Sequence, residues 1–260
     1  MKRFATRTTL LALALASVLV TPALALNLFS DGFAYPAGNL VPNGSWANYS
    51  GAVTDIQVIA GRAVGSGPNA NDDHRLFAAQ PTTGKTYACF VVRIPTVVGA
   101  PKPIYFAELK DAGTANLVSR VYVLPLASGG WTFGISYSST SATAGVTPWT
   151  VPLSFDTDYT LVINYDPATS TSNLWVNPFT EASPSVANTN AALAAISVSG
   201  FGLRQSATAS TLPASPAYVG TADWGFSVDN LGIGTTFDDA CARPTPTRNS
   251  TWGQVKSIYR

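Results

Sequence analysis

Histidine and methionine each occur once in this 260-residue chain, cysteine occurs twice, and only 11% of the residues are charged. Each scarcity closes a class of function. Any catalytic triad or imidazole base would have to use His74, and no Gly-x-Ser-x-Gly elbow accompanies it. Glutamate is confined to Glu108 and Glu181, without a Glu-x-Asp-x-x-Glu pattern, whereas glycoside hydrolysis needs two carboxylates facing one sugar bond. Lys and Arg (15) barely outnumber Asp and Glu (14), so the clustered positive charge that nucleic acid demands is missing. No uninterrupted run of about 18 apolar residues exists to span a bilayer as a helix. Nor does an i, i+3, i+4, i+7 apolar pattern persist for three turns, which argues against helices as the building element.

What is present begins with an export signal. Lys2, Arg3 and Arg7 precede an apolar run over 10–20, and Ala23-Leu24-Ala25 supplies the small-residue site a signal peptidase needs. The expected organisation is a leader at 1–25, a domain at 26–242, and a Pro/Thr linker with a basic tail at 243–260 that could act as a sorting tag. The leader and tail hold the excess positive charge, because residues 26–242 carry 8 basic and 14 acidic side chains. The location implied is extracellular or cell-surface, with no nucleic-acid partner and no transmembrane segment.

Within the domain, stretches rich in β-branched and aromatic residues alternate with Gly, Pro, Ser, Thr and Asn clusters, the signature of an all-β chain. Strands are expected at 56–59, 86–94, 104–109, 118–124, 131–137, 159–165, 173–176, 196–204 and 225–233, enough for two packed sheets. A turn at Gly113-Thr114 would pair Ile104 with Leu124, Phe106 with Tyr122 and Glu108 with Arg120. A second turn at Ser128-Gly129 would pair Leu124 with Phe133, Tyr122 with Ile135 and Arg120 with Tyr137. Both registers put the large side chains on one core face, with Glu108 and Arg120 as a structural ion pair at its end.

Particular segments carry a likeness to a known group. Asp31-Gly-Phe-Ala-Tyr35, Gly38-Asn-Leu40 and Gly44-Ser-Trp46 open it. Tyr159-Thr-Leu-Val-Ile-Asn-Tyr165 and Asn173-Leu-Trp-Val-Asn-Pro178 continue it, and Gly202-Leu-Arg204 with Phe226-Ser-Val-Asp-Asn-Leu-Gly-Ile-Gly234 close it. In this order they resemble bacterial secreted modules with a concanavalin A-like, laminin-G-like jelly roll. The resemblance implies a two-sheet antiparallel β-sandwich of the lectin/glucanase type, with ligands on the concave sheet or in rim loops.

The candidate residues follow. Trp46, Tyr49 and Trp149 are the aromatics least well placed on strands, and aromatic faces beside amides and carboxylates suit a glycan. Asn71, Asp72 and Asp73 offer hard oxygen ligands for a structural calcium; no other cofactor is implied. His74, next to them, reads as a solvated loop or strand-edge residue. Cys89 and Cys241 are expected to form one disulfide, the alternative being a buried thiol at Cys89 and a free Cys241. The function expected is non-catalytic binding of a glycan or other surface ligand in an adhesive or cell-envelope role. A glycoside hydrolase or polysaccharide lyase of the same fold and a self-associating surface or filament subunit are the alternatives.

Overall fold

The computed structural model describes residues 26–51, 54–66, 71–137, 145–205 and 220–242; the leader and the 243–260 tail lie outside them. The strands are β1 (Asn27–Asp31), β2 (Gly38–Asn39), β3 (Trp46–Ser50), β4 (Gln57–Ile59), β5 (Arg62–Ser66), β6 (Asp72–Leu76), β7 (Thr86–Arg93) and β8 (Ile104–Lys110). They continue with β9 (Leu117–Pro125), β10 (Trp131–Ser136), β11 (Thr147–Pro148), β12 (Asp158–Asp166), β13 (Thr171–Val176), β14 (Val186–Thr189), β15 (Gly200–Arg204) and β16 (Gly225–Gly234), and one short helix, α1 (Phe237–Cys241), follows.

The strands form two antiparallel sheets packed as a jelly-roll β-sandwich. One runs β14-β13-β12-β7-β16-β5-β4-β2 with β1 added beside β16, and the other runs β11-β10-β9-β8-β15-β6-β3. Aromatic side chains join them: Phe90 of β7 meets Phe106 at 6.4 Å and Phe201 at 5.5 Å, and Tyr159 of β12 meets Trp131 and Phe133, each at 6.2 Å. These contacts define the inward face of the seven-stranded sheet. Its other face is the one that matters for the site.

The register of β9 corrects the sequence expectation. Val123, not Leu124, pairs with Phe133 and with Ile104, and Thr132 pairs with Leu124. The β9–β10 loop runs from Leu126 to Gly130, closed by a bond from Leu126 N to Gly130 O at 3.0 Å, with Gly129 and Gly130 both at positive φ. One extra loop residue shifts the pairing by one and exchanges the faces. Val118, Val121 and Val123 therefore join the main core cluster, while Arg120, Tyr122 and Leu124 face outward. Bulges in the β8–β9 ladder separate Glu108 from the face of Phe106 as well, so Glu108 and Arg120 lie outside the sandwich rather than at the end of its core.

Asp31 explains the opening motif. Its carboxylate accepts Phe33 N at 2.8 Å, Tyr35 Oη at 2.9 Å, Trp46 Nε1 at 2.8 Å and Arg75 Nη1 at 3.0 Å. One buried carboxylate thus fastens the first strand to β3 and β6. The disulfide is formed as expected, Cys89 of β7 to Cys241 at the end of α1, with Cα atoms 5.2 Å apart.

Candidate functional site

The outward face of the seven-stranded sheet carries a cluster of polar and aromatic groups on β3, β6, β15, β8 and β9. Along one row, His74 of β6 pairs with Gly202 of β15, and Gly202 with Glu108 of β8. Phe201 and Leu203 occupy the core, so alternation turns Gly202 outward. Its missing side chain makes room: a Cβ there would stand 2.2 Å from Glu108 Oε1 and 3.3 Å from Tyr49 Oη.

Tyr49 reaches this row because the β3–β6 ladder shifts register between Asn48 and Ser50. The bulge turns the Tyr49 side chain across the face. Its hydroxyl donates to Glu108 Oε1, and its ring stacks on His74 at 5.1 Å between centroids. Lys110 lies with Nζ 4.5 Å from the Tyr49 centroid and 3.0 Å from His74 Nδ1, while also donating to the main-chain oxygens of Asp111 and Gly113. An ammonium has no acceptor, so His74 Nδ1 accepts and the imidazole proton sits on Nε2. Arg204 and Arg120 both lie over the Tyr105 ring, at 4.3 and 4.9 Å.

Burial sets the ionisation of these groups. It pushes Glu108 above the usual carboxylate range even though Tyr49, Arg204, Arg120 and Lys110 all favour its charged form. Asp72 is pushed up to about 7 by burial and then by the charge of Glu108. Burial, with Lys110 beside it, lowers His74 to about 4, in keeping with the neutral tautomer. Burial raises Tyr49 well above the ordinary phenol value, and it remains a donor.

The sequence-predicted residues separate here. Trp46 is buried in the core and tied to Asp31, so it offers no ligand platform. Tyr49 is at the centre of the cluster. Trp149 is half-buried just beyond β11, at the opposite edge of the sheet. The segment from Asp72 is strand β6 rather than a loop, and His74 is buried within it. Asp72 and Asp73 point to opposite faces: Asp72 accepts Gln205 N at 3.0 Å, and Asp73 accepts Asn48 Nδ2 at 2.6 Å. Asn71 donates to Asp55 at 2.8 Å. The three do not converge as calcium ligands, and no group of three His, Cys, Asp or Glu suited to a metal occurs among the described residues. Glu108 and Arg120 share the outward face, where the charge of Arg120 acts on Glu108; Glu108 also accepts a hydrogen bond from Tyr49, and Arg120 lies over Tyr105. Glu181 is remote, accepting from Tyr87 at 2.5 Å on the other sheet.

Tyr105, Lys110, Gly202 and Arg204 were missed by sequence reasoning. The available signal was Glu108 and Lys110 at a spacing of two inside an apolar strand, which puts both on one face.

No family model and no curated protein sequence matches the chain. Its fold is similar to that of several solved structures. The CBM2 module of the evolved Dit of Lactobacillus casei BL23 phage J-1 superposes with a TM-score of 0.49 at 10% identity, over 81% of this chain and 96% of that one. An endo-beta-1,4-glucuronan lyase from the fungus Trichoderma reesei does so at 0.45 and 10%, over 83% and 98%. The Emp47p carbohydrate recognition domain matches at 0.45 and 10%, over 82% and 97%. At such identities no residue role carries over to this chain.

Proposed function

We propose that the protein is an exported, non-catalytic β-sandwich that binds a saccharide on the outward face of its seven-stranded sheet, in an adhesive or cell-envelope role. One observation carries this reading. Glu108 Oε2 and Arg204 Nη1, an acceptor and a donor on the same face, are both buried without a hydrogen-bond partner among the described residues. Leaving such groups unpaired costs about 1–3 kcal/mol each. A sugar hydroxyl both donates and accepts, so a hydroxyl-rich ligand suits the two together. The surrounding Tyr49, Tyr105 and His74 rings add apolar surface beside the polar groups, the mixture that small-molecule sites use. Trp149 is proposed as an outlying contact.

Retention of the protein lacking residues 1–25 on immobilised polysaccharides tests the reading. Binding should fall at least about tenfold in Tyr49→Ala while cooperative thermal unfolding is kept, consistent with loss of a well-packed ring contact. Absence of binding to every polysaccharide tried would overturn it.

Cleavage of a glycosidic bond is the second reading, and it has one observation in its favour: Asp72, a carboxyl that keeps its proton up to about pH 7, shares the face with Glu108. It predicts release of reducing ends that is abolished by both Asp72→Asn and Glu108→Gln. Binding without turnover decides for the first reading.

A further inference from the structure

The nine-stranded sheet carries an opening that the site above does not use. Tyr159 and Leu161 of β12 belong to the core, so alternation turns Thr160 outward, to the side on which α1 is packed. A groove of about 400 Å³ is lined there by Thr160, by Asn177, Pro178 and Phe179 after β13, and by Asp238 of α1. The Cys89–Cys241 disulfide also lines it and ties α1 to the sheet, so the groove is framed by fastened elements.

Phe179 stands at this groove with 95% of its surface exposed, whereas every other aromatic side chain among the described residues is buried or half-buried. Looseness of the loop does not account for it. Asn177 N donates to Thr160 O at 2.7 Å, and Thr160 N donates to Asn177 Oδ1 at 2.8 Å. Ser183 Oγ accepts the amides of both Phe179 and Thr180 at 3.1 Å, and Trp175 Nε1 donates to Glu181 O at 3.1 Å. Burial of a Phe side chain is worth about 1.5–3 kcal/mol, and the chain forgoes that gain in a segment that it otherwise fastens. One exposed apolar side chain is ordinary on a protein surface; a ring held rigidly at a groove with free polar groups has the make-up of a binding site.

The polar lining sets the class of ligand. Thr160 Oγ1, Asn177 Nδ2 and the Asp238 carboxylate make no hydrogen bond among the described residues, which leaves a hydroxyl, an amide donor and an anionic acceptor at the groove. No Lys or Arg among the described residues lines it, so a negatively charged ligand would meet Asp238 without a counter-ion. An aromatic face beside donors and acceptors matches an uncharged pyranose, whose C–H face can cover the ring while its hydroxyls both donate and accept.

We propose that this groove is a second saccharide site, taking an uncharged sugar residue against Phe179 with Thr160, Asn177 and Asp238 at its hydroxyls. It goes beyond the reading above and does not depend on the Tyr49 face. The two sites lie on the outer faces of opposite sheets, so one molecule can hold two stretches of polysaccharide.

The test is affinity electrophoresis of the protein lacking residues 1–25 in gels containing galactomannan, mixed-linkage β-glucan or arabinoxylan, all uncharged. At least one polymer should retard the parent. Phe179→Ala should weaken that retardation at least about threefold, as loss of an aromatic contact implies, with the thermal midpoint unchanged because the side chain buries almost nothing. Phe179→Trp should keep it, and adding Phe179→Ala to Tyr49→Ala should weaken retardation beyond Tyr49→Ala alone. A Phe179→Ala variant retarded as strongly as the parent by every polymer would overturn the proposal and leave the Tyr49 face untouched. Retardation that needs Phe179 but not Tyr49 would support this site and count against the other. No retardation by any of the three defeats this proposal, while Tyr49-dependent retention on a different polysaccharide would still sustain the first reading. If Phe179→Ala instead abolishes a concentration-dependent dimer in sedimentation of the free protein and leaves retardation unchanged, the ring is a contact between copies and the proposal falls.

Discussion

Asp72, Asp73 and His74 are consecutive, yet their environments move their titrations in opposing directions. Burial pushes Asp72 and Asp73 each up to about 7, the latter helped by Asp55, and lowers His74 to about 4. Above the unfolded carboxylate value and below about pH 7, the native state holds two protons that the unfolded chain has released. That contribution to stability is full at low pH and is lost as pH rises through 7. His74 acts oppositely, because the unfolded chain binds a proton below about 6.5 that the native state refuses. Two carboxyls outweigh one imidazole, and Glu108 adds to their side. Stability to urea should therefore decline from about pH 4.5 to about pH 7, and Asp72→Asn should flatten that slope by about one proton. An unchanged slope in the variant would disprove the assignment. None of this was legible in Asn-Asp-Asp-His, a string that reads as a turn because its residues have low strand propensity. Pairing with β3 and β15 on either side overrides that preference.

At the scale of elements, the aliphatic strands were readable and the polar ones were not. β7, β12 and β16 are runs of β-branched and aromatic residues between turn signals, and their observed bounds lie within a residue or two of expectation. β9 was recognised but its facing was not. Val118-Ser-Arg-Val-Tyr-Val-Leu is buried on both sides, so alternation offers two sets of apolar side chains and the larger set was taken for the core. The outcome turned on a single residue in the loop to β10. The closing element shows how a covalent bond replaces packing area. α1 has only five residues, capped by Thr236, and packs Phe237 against Tyr87 and Trp175. Cys241 then ties it to β7 across a separation of 152 residues, a loop worth about 5 kcal/mol on the chain-entropy view. Replacing both cysteines by serine should lower unfolding stability in denaturant by about 2–5 kcal/mol without loss of the sheet signal in circular dichroism. A midpoint identical to that of the oxidised parent would refute this.

Across the whole molecule, composition and architecture agree. A chain with few charges folds into a sandwich whose ion pairs are mostly at its margins, and it places Lys110, Arg120 and Arg204 on one side of one sheet. The overall jelly roll was foreseeable from strand count and from the order of the resembling segments. The placement of the candidate site was not, since it depends on bulges in β3 and in the β8–β9 ladder that have no sequence signature. Arg243 and the residues after it are predicted to be dispensable for the fold. Deleting 243–260 should leave the thermal midpoint of the 26–242 domain unchanged, whereas a lowered midpoint would make the tail part of the domain. Both ends of the sandwich meet at one corner: Leu26 donates to Thr235 Oγ1 at 3.2 Å, and β1 lies antiparallel to β16. Tension applied between these ends would peel β1 from β16 one hydrogen bond at a time, a low-force geometry. Tension entering through the tail, however, meets Cys241 first and passes through sulfur into Cys89, within a strand flanked by β12 and β16. A copy tethered by its tail would thus hang from the middle of its nine-stranded sheet, with α1 carrying none of the load.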